Sequence, residues 1–337
     1  MSGTYALVLI LIVSVVLCSG CAMTGDTAKT TPTPTQTSVV IVASEPATPP
    51  PAATALPVTV TPAPANATVT PVPALPSTAM LETGAKKQAY PYAIRGMPQF
   101  LYFNTYDGVR DYLRDRYPDR PTDFYNVSTL EDYYQHYVSD PVQKKYLDAL
   151  VENIRERSEL PPERARIAVS LIQHIPYAPT TQTLYPYEVL YYDMGKCEDK
   201  SILMAYVLSK MGYGTALFLY YPEHHMALGL KCPKQYSIAG SGYCFVETTS
   251  PSIMTYSNGT YAGVGKLTSK PEIIKLSDGD SFDQIAEEYT DAQSYDAVIN
   301  SAVWNDSGMF LDTFNYGQFG YLREKYGLFD LDLVKIP

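Results

Sequence analysis

The chain has 337 residues and a formal net charge of −10, room for two or three domains of ordinary size. That charge, with no Lys/Arg cluster longer than two, excludes a nucleic-acid binder, which needs basic patches against phosphates. Of the 30 Tyr, 10 Phe and one Trp, all but Tyr5 lie at or after Tyr90, so the foldable part is predicted to run from there to Pro337.

The first element is the apolar run Ala6 to Leu17, broken only by Ser14. It suits a signal-peptide core better than a span of about 20 residues. Leu17-Cys18-Ser19-Gly20-Cys21 follows and resembles a lipoprotein cleavage box with Cys21 as the lipidated residue. The alternative is an uncleaved anchor helix from Tyr5 to Met23. Either places the folded part at the extracellular face of the membrane. Residues 22–85 then hold 12 Pro and 15 Thr and no aromatic residue. Such a stretch cannot offset its ordering entropy by burial, and is predicted to be an extended stalk. Asn66, Asn126, Asn258 and Asn305 each open an Asn-x-Ser/Thr sequon, which with the stalk suggests a glycosylated surface protein.

In the folded part, Asp107 to Tyr117 reads as a helix stopped by Pro118. Asp140 to Arg157 follows, with Val142, Tyr146, Leu147, Leu150, Val151 and Ile154 at helical spacing, Asp140 as cap and Pro141 in the first turn. A third helix runs from Pro162 to His174, and Cys197 to Met211 reads as a buried one. Strands are predicted at Ala216–Tyr221, His225–Lys231 and Tyr243–Thr248, with links short enough for an antiparallel meander. Helix followed by antiparallel strands is an α+β arrangement. Asp283 to Ala302 reads as a surface helix. Asp278-Gly279-Asp280-Ser281-Phe282-Asp283 fails the calcium-loop pattern and reads as a turn with a cap before that helix.

A Cys at the start of a buried helix, a His opening the second strand and an acid on the third carry chemistry. The meander brings Cys197, His225 and Glu247 toward one end. A helix N-terminus and a neighbouring imidazolium favour a thiolate nucleophile. The acid fixes the imidazole tautomer, and backbone N–H groups at the helix start can stabilise an oxyanion. Glu198 and Asp199 oppose this unless they are engaged in capping or in ion pairs with Lys196 or Lys200. His174 reads as a packing residue and His224 as a flanking group. The runner-up reading is a binding module, with doublets such as Tyr133-Tyr134, Tyr191-Tyr192 and Tyr220-Tyr221 lining a glycan or peptide groove.

Tyr185-Pro186-Tyr187-Glu188-Val189-Leu190 and Gly195-Lys196-Cys197-Glu198-Asp199-Lys200-Ser201 resemble the active-site segment of the transglutaminase-like superfamily, and most closely its microbial cysteine proteinases. His225-Met226-Ala227 resembles their His strand, and Tyr243 to Thr249 their acid strand. The resemblance covers about residues 165–250. It implies a papain-like core and a surface peptidase or amidase acting on protein or peptide substrates, with a cross-linking transglutaminase as the alternative. Glu247 stands where the superfamily usually has Asp. Lys196 stands where some related proteinases carry an Asp that helps hold calcium, so no cofactor or metal is expected, calcium being the one alternative. Cys232 and Cys244, twelve residues apart, are expected to pair in an oxidising exterior, or else to remain two thiols. The expected organisation is 1–21 signal peptide and lipid box, 22–88 stalk, 89–160 helical region, 161–265 catalytic core and 266–337 helical and aromatic extension.

Overall fold

The computed structural model describes residues 75–116, 129–261, 264–305 and 308–328. The apolar run, Cys21, Asn66, Asn126 and nearly all of the Thr/Pro stretch lie outside the described residues, as does the side chain of Asn305. No helix among the described residues is long and apolar enough to cross a membrane.

A short helix α1 (Thr78–Leu81) leads into a hairpin of β1 (Ala85–Ile94) and β2 (Met97–Tyr106), followed by α2 (Asp107–Arg116). The reading of 89–160 as helical is therefore corrected, and the fold begins before residue 89. The two-residue turn Arg95-Gly96 has positive φ at both positions (49° and 78°), the geometry that matches strand twist. Pro91 and Pro98 are tolerated because a two-stranded ribbon has a non-bonding edge on each strand.

Three helices follow: α3 (Leu130–Ser139), α4 (Pro141–Arg155) and α5 (Pro161–His174). Asp140 caps α4 by accepting from the Val142 and Gln143 N–H groups at 2.9 and 3.2 Å, with Pro141 at the first position. Then come α6 (Pro186–Tyr192) and α7 (Cys197–Lys210). From Asp199 to Leu208 every residue of α7 is buried, so it forms the central rod of the fold.

The sheet is built from β3 (Gly214–Tyr220), β4 (His225–Lys231) and β5 (Tyr243–Val246), paired as the antiparallel meander the short links predict. Two strands of two residues each, β6 (Thr260–Tyr261) and β7 (Gly265–Lys266), pair with each other in the following loop. A further strand, β8 (Glu272–Asp278), joins the main sheet on the free edge of β3, giving the order β5-β4-β3-β8. The core thus extends past residue 265. One face of the sheet, with Leu217, Leu219, Met226, Leu228, Leu230, Cys244 and Val246, belongs to the main core shared with α7. The other, with Ala216, Phe218, Tyr220, Ala227, Tyr243 and Phe245, makes a second cluster covered by Ile238, Val264, Leu267 and Ile273. Burial on both faces is why all of β3 is apolar or small. Gly229 of β4 has no room for a side chain, since an added Cβ would lie 2.9 Å from the Phe218 ring.

The chain closes with α8 (Ala286–Ser301), the pair β9 (Val303–Asn305) and β10 (Gly308–Phe310), and α9 (Thr313–Tyr326). The helix expected from Asp283 starts three residues later, after Ile285, so Asp283 is not its cap. It is also no purely surface helix, since Glu288, Ala292 and Val298 are buried. The architecture is α+β. Cys232 and Cys244 form a disulfide across the β4–β5 connection.

The tyrosine doublets go mostly to the core. Tyr133, Tyr134, Tyr191 and Tyr220 are buried, and Tyr221 alone among the six is strongly exposed, at 53%. Tyr133, Tyr134 and Tyr191 belong to the main core, and Tyr220 to the cluster on the other face of the sheet.

Candidate active site

Cys197 is the first residue of α7 and the one cysteine outside a disulfide among the described residues. Its position is fixed from the sequence on either side. Gly195 is needed before it, because a Cβ there would lie 3.1 Å from the Asp199 side chain and 3.3 Å from that of Lys200. The Gly195 backbone pairs with the 176–178 segment, through Gly195 N–H to the Pro176 carbonyl (3.2 Å) and Ala178 N–H to the Gly195 carbonyl (3.1 Å).

The two acids beside the thiol are both engaged. Asp199, at the third helical position, accepts the N–H of Lys196 at 3.0 Å, the reciprocal half of a capping box. It also accepts the Leu184 N–H at 2.8 Å and the Thr180 hydroxyl at 2.9 Å, tying the 180–184 loop to the helix start. Burial pushes its carboxyl up to about 6, against the pull of those N–H groups. Glu198 pairs with the Lys196 ammonium at 3.0 Å and accepts the Thr183 hydroxyl at 2.9 Å. Burial holds Lys196 down, but the charge and hydrogen bond of Glu198, with the charges of Asp199 and Cys197, together raise the ammonium above its ordinary value.

The structure brings the three sequence-predicted residues together. His225 opens β4, and Glu247 follows β5 directly. His225 Nε2 lies 2.9 Å from Glu247 Oε2, with both side chains almost fully buried. The additional methylene of Glu relative to Asp therefore does not prevent the contact. Nε2 is committed to Glu247, and the Cys197 thiol is the other group that favours the charged ring. Burial is the largest influence on His225 and works against its charge. Cys197 and Glu247 together overcome it and lift the imidazole to about 9. Glu247 is held below the usual carboxylate range: burial opposes this, but the His225 contact and the Thr249 hydrogen bonds prevail.

Three supporting residues escape the sequence reading. Thr249 gives Glu247 Oε1 two hydrogen bonds, from its N–H at 2.8 Å and its hydroxyl at 2.5 Å. Gln173 of α5 donates to the Glu247 carbonyl (2.9 Å) and the Ser252 carbonyl (3.1 Å) and accepts the Ser252 N–H (3.3 Å). Lys200 is wholly buried and donates to the carbonyls of Gln173 (3.2 Å), Ile175 (2.5 Å) and Thr249 (3.2 Å). Burial, partly offset by Glu247 and Asp193, brings its ammonium down to about 7. Thr249 sits in the acid-strand segment and its position after Glu247 is the one available signal. Gln173 and Lys200 had none beyond falling on buried helices.

His224 is exposed, with φ of 49° in the turn between β3 and β4, and stands beside the site without entering it. His174 is buried, its ring nitrogens facing the Ser170 and Gly327 carbonyls at 2.7 and 3.2 Å. His136 meets the Tyr185 hydroxyl at 2.8 Å, and burial lowers its pKa. A cavity of about 490 Å³ shares Gln173 and Ser252 with this scaffold, but neither Cys197 nor His225 lines it.

A calcium ion beside the thiol does not fit the residues present. The neighbouring position carries the Lys196 ammonium, Glu198 is paired with it, and both Asp199 oxygens already accept hydrogen bonds. No protein-family model, curated protein or solved structure matches this chain.

Proposed function

We propose that this chain is a thiol acyl-transfer enzyme with a papain-like core of the transglutaminase-like kind, cleaving peptide or side-chain amide bonds. The observation that carries the reading is the continuous chain Cys197–His225–Glu247 at the start of a buried helix. The Cys197 sulfur attacks the amide carbon while the His225 imidazolium stands ready as the acid. Collapse of the tetrahedral intermediate breaks the C–N bond, and His225 gives its proton to the departing amine. The thioester is then attacked by water, whose proton passes to His225. Breaking the C–S bond releases the carboxylic acid and regenerates the thiol and imidazole. Glu247 keeps the ring oriented and stabilises its charge throughout. Asp199 takes only the Lys196 N–H at the start of α7, which leaves the N–H groups of the first turn available to an oxyanion.

Water as the acceptor makes it a peptidase or amidase; an amine acceptor would make it a cross-linker. The substrate is a protein or peptide, met at the cell surface by an enzyme tethered through Cys21 lipid or an N-terminal anchor helix. The test is labelling with a set of peptidyl vinyl sulfones, read by peptide mass spectrometry. Labelling of Cys197, lost in His225→Ala, supports the proposal. Equal labelling of both proteins would overturn it. Incubating an acyl-donor peptide with a fluorescent primary amine separates hydrolysis from amine transfer.

A further inference from the structure

The turn that delivers His225 to the site is held by side chains rather than by the sheet. The ladder between β3 and β8 ends at Leu219 and Glu272, and the last pair between β3 and β4 is Tyr220 with His225. Tyr221 to His224 lie beyond both ladders, closed by a hydrogen bond from the His224 N–H to the Tyr221 carbonyl at 3.2 Å. Glu223, inside this turn, accepts four hydrogen bonds from two consecutive residues. Its Oε1 takes the Thr268 N–H, the Thr268 hydroxyl and the Ser269 N–H, each at 2.9 Å, and its Oε2 takes the Ser269 hydroxyl at 2.5 Å. The Ser269 hydroxyl and the Thr268 N–H lead in holding the carboxyl down at about 2, so the clamp carries its charge at any working pH. Tyr221 adds a second tie, its hydroxyl donating to Glu272 Oε2 at 2.8 Å.

The segment that supplies the donors is fixed by other means. Val264 and Leu267 pack on the second core cluster, and β8 starts at Glu272 on the edge of β3. The anchorage therefore runs from that segment to the turn. What it holds is a conformation: His224 has φ of 49°, the left-handed region that disfavours any residue with a side chain. Such strain persists only where the surroundings impose it. Relaxation to negative φ would re-aim the chain as it enters His225, the residue at the open end of β4. The ring would then leave Glu247 Oε2, now 2.9 Å from its Nε2. Both Glu223 oxygens are occupied, so this carboxylate is placed to hold the turn and not to bind a substrate.

We infer that Glu223 is a positioning residue for His225: clamped by Thr268 and Ser269, it keeps the turn in the left-handed conformation that aims the imidazole at Glu247 beside Cys197. The inference rests on the Cys197–His225–Glu247 reading. It adds to that site a dependence on the segment before β8, which touches none of the three residues through any of these bonds.

The experiment uses the full chain and two readouts: the ring-carbon NMR titration of His225, and the alkylation rate of Cys197 by iodoacetamide from about pH 5 to 10. In Glu223→Ala the His225 ring should titrate at least about one unit below the parent as its contact with Glu247 loosens. Alkylation at neutral pH should slow at least about tenfold. Glu223→Gln keeps an acceptor for the donors at Oε1 and should stay within about threefold of the parent. Adding His224→Gly to Glu223→Ala should recover most of the lost rate, because Gly takes positive φ without steric cost. Thr268→Val with Ser269→Ala breaks the clamp from its other side. It should slow alkylation about threefold, and it carries the same test if Glu223→Ala does not fold. A purely structural role for Glu223 would lower the thermal midpoint and leave both pH profiles where the parent has them, and that result overturns the inference. So does a Glu223→Ala defect that His224→Gly fails to rescue. His225→Ala separates the two levels. If it alkylates like the parent, the thiol–imidazole reading fails, and the ring titration in Glu223→Ala still decides the role of Glu223.

Discussion

Replacing Glu247 by Gln removes one negative charge 2.9 Å from His225 Nε2 and keeps the shape of the side chain. His225 is lifted from an ordinary 6.5 to about 9. That difference corresponds to about 3 kcal/mol of preference for the imidazolium. Burial works against the charge, so the Cys197 and Glu247 contacts together supply more than the net amount. Without the Glu247 charge, burial is opposed by Cys197 alone, and the ring should titrate at least about one unit lower, a loss of roughly 1–2 kcal/mol. The sign of the stability effect follows. The folded value lies above the unfolded one, so the contribution is fully present below about pH 6.5 and is lost as pH rises through 9. Glu247→Gln should therefore be most destabilised relative to the parent between about pH 5 and 6.5, with the gap narrowing toward 9. Ring-carbon NMR of labelled histidine gives the titration directly, with His225→Gln assigning the resonance among the four histidines. Urea midpoints across the same range give the linkage. A His225 ring that titrates at the same pH in Glu247→Gln and parent would refute the reasoning, whatever the variant does to turnover.

Thr249→Val removes the hydroxyl bond to Glu247 but keeps the N–H bond. Alkylation of Cys197 by a peptidyl vinyl sulfone should slow by about tenfold, for about 1–2 kcal/mol, and Thr249→Ser should restore it. Lys200→Met leaves three buried carbonyls without their donor, and should cost about 3 kcal/mol in urea unfolding. It should also abolish one pH trend: because burial lowers folded Lys200 to about 7, the unfolded chain binds the extra proton from there to 10.5, and parent stability gains from this group as pH rises across that window. A parallel pH profile in parent and Lys200→Met would count against the assignment. Replacing Cys232 and Cys244 together by Ser should lower stability by about 3 kcal/mol, from the loss of a loop closed over twelve residues. The alkylation rate of Cys197 should not change, since the bridge is at the opposite end of β4 from His225.

The candidate constellation was legible because it rides on strong local signals. Pro141, Asp140 and the 3–4 spacing mark α4, and the apolar run Ile202 to Leu208 marks α7. His225 begins its strand at the residue expected from the alternation of Met226, Leu228 and Leu230. The β1–β2 hairpin was hidden by its chemistry: Arg95-Gly96 is a weaker turn signal than Asn-Gly, and Pro91 and Pro98 argue against strands unless both lie on open edges. The strand β8 was missed because nothing local reveals which edge of a sheet a segment more than 50 residues away will cover. The supporting residues are hidden for the same reason. Gln173 and Lys200 are ordinary helical positions until tertiary packing places them under the Glu247 loop.

The charge pattern around Cys197 shows how an acidic segment can serve a nucleophile. Read linearly, Lys196-Cys197-Glu198-Asp199-Lys200 sets two acids directly after the thiol, where they oppose its ionisation. In the fold each is directed elsewhere. Glu198 faces Lys196, and Asp199 is consumed by N–H and hydroxyl donors from the 180–184 loop. Lys200 turns inward to three carbonyls behind Glu247. Helical geometry separates them, because successive residues on α7 point about 100° apart. The group coupled to the thiol is the imidazole from β4, which no linear reading of the segment contains. The acids are thus compatible with thiolate chemistry because the caps and ion pairs that build the helix start also neutralise them. Asp199 serves both ends: it closes the first turn of α7 and fixes the loop that holds Thr183 against Glu198. Local folding and site electrostatics are here the work of the same side chains.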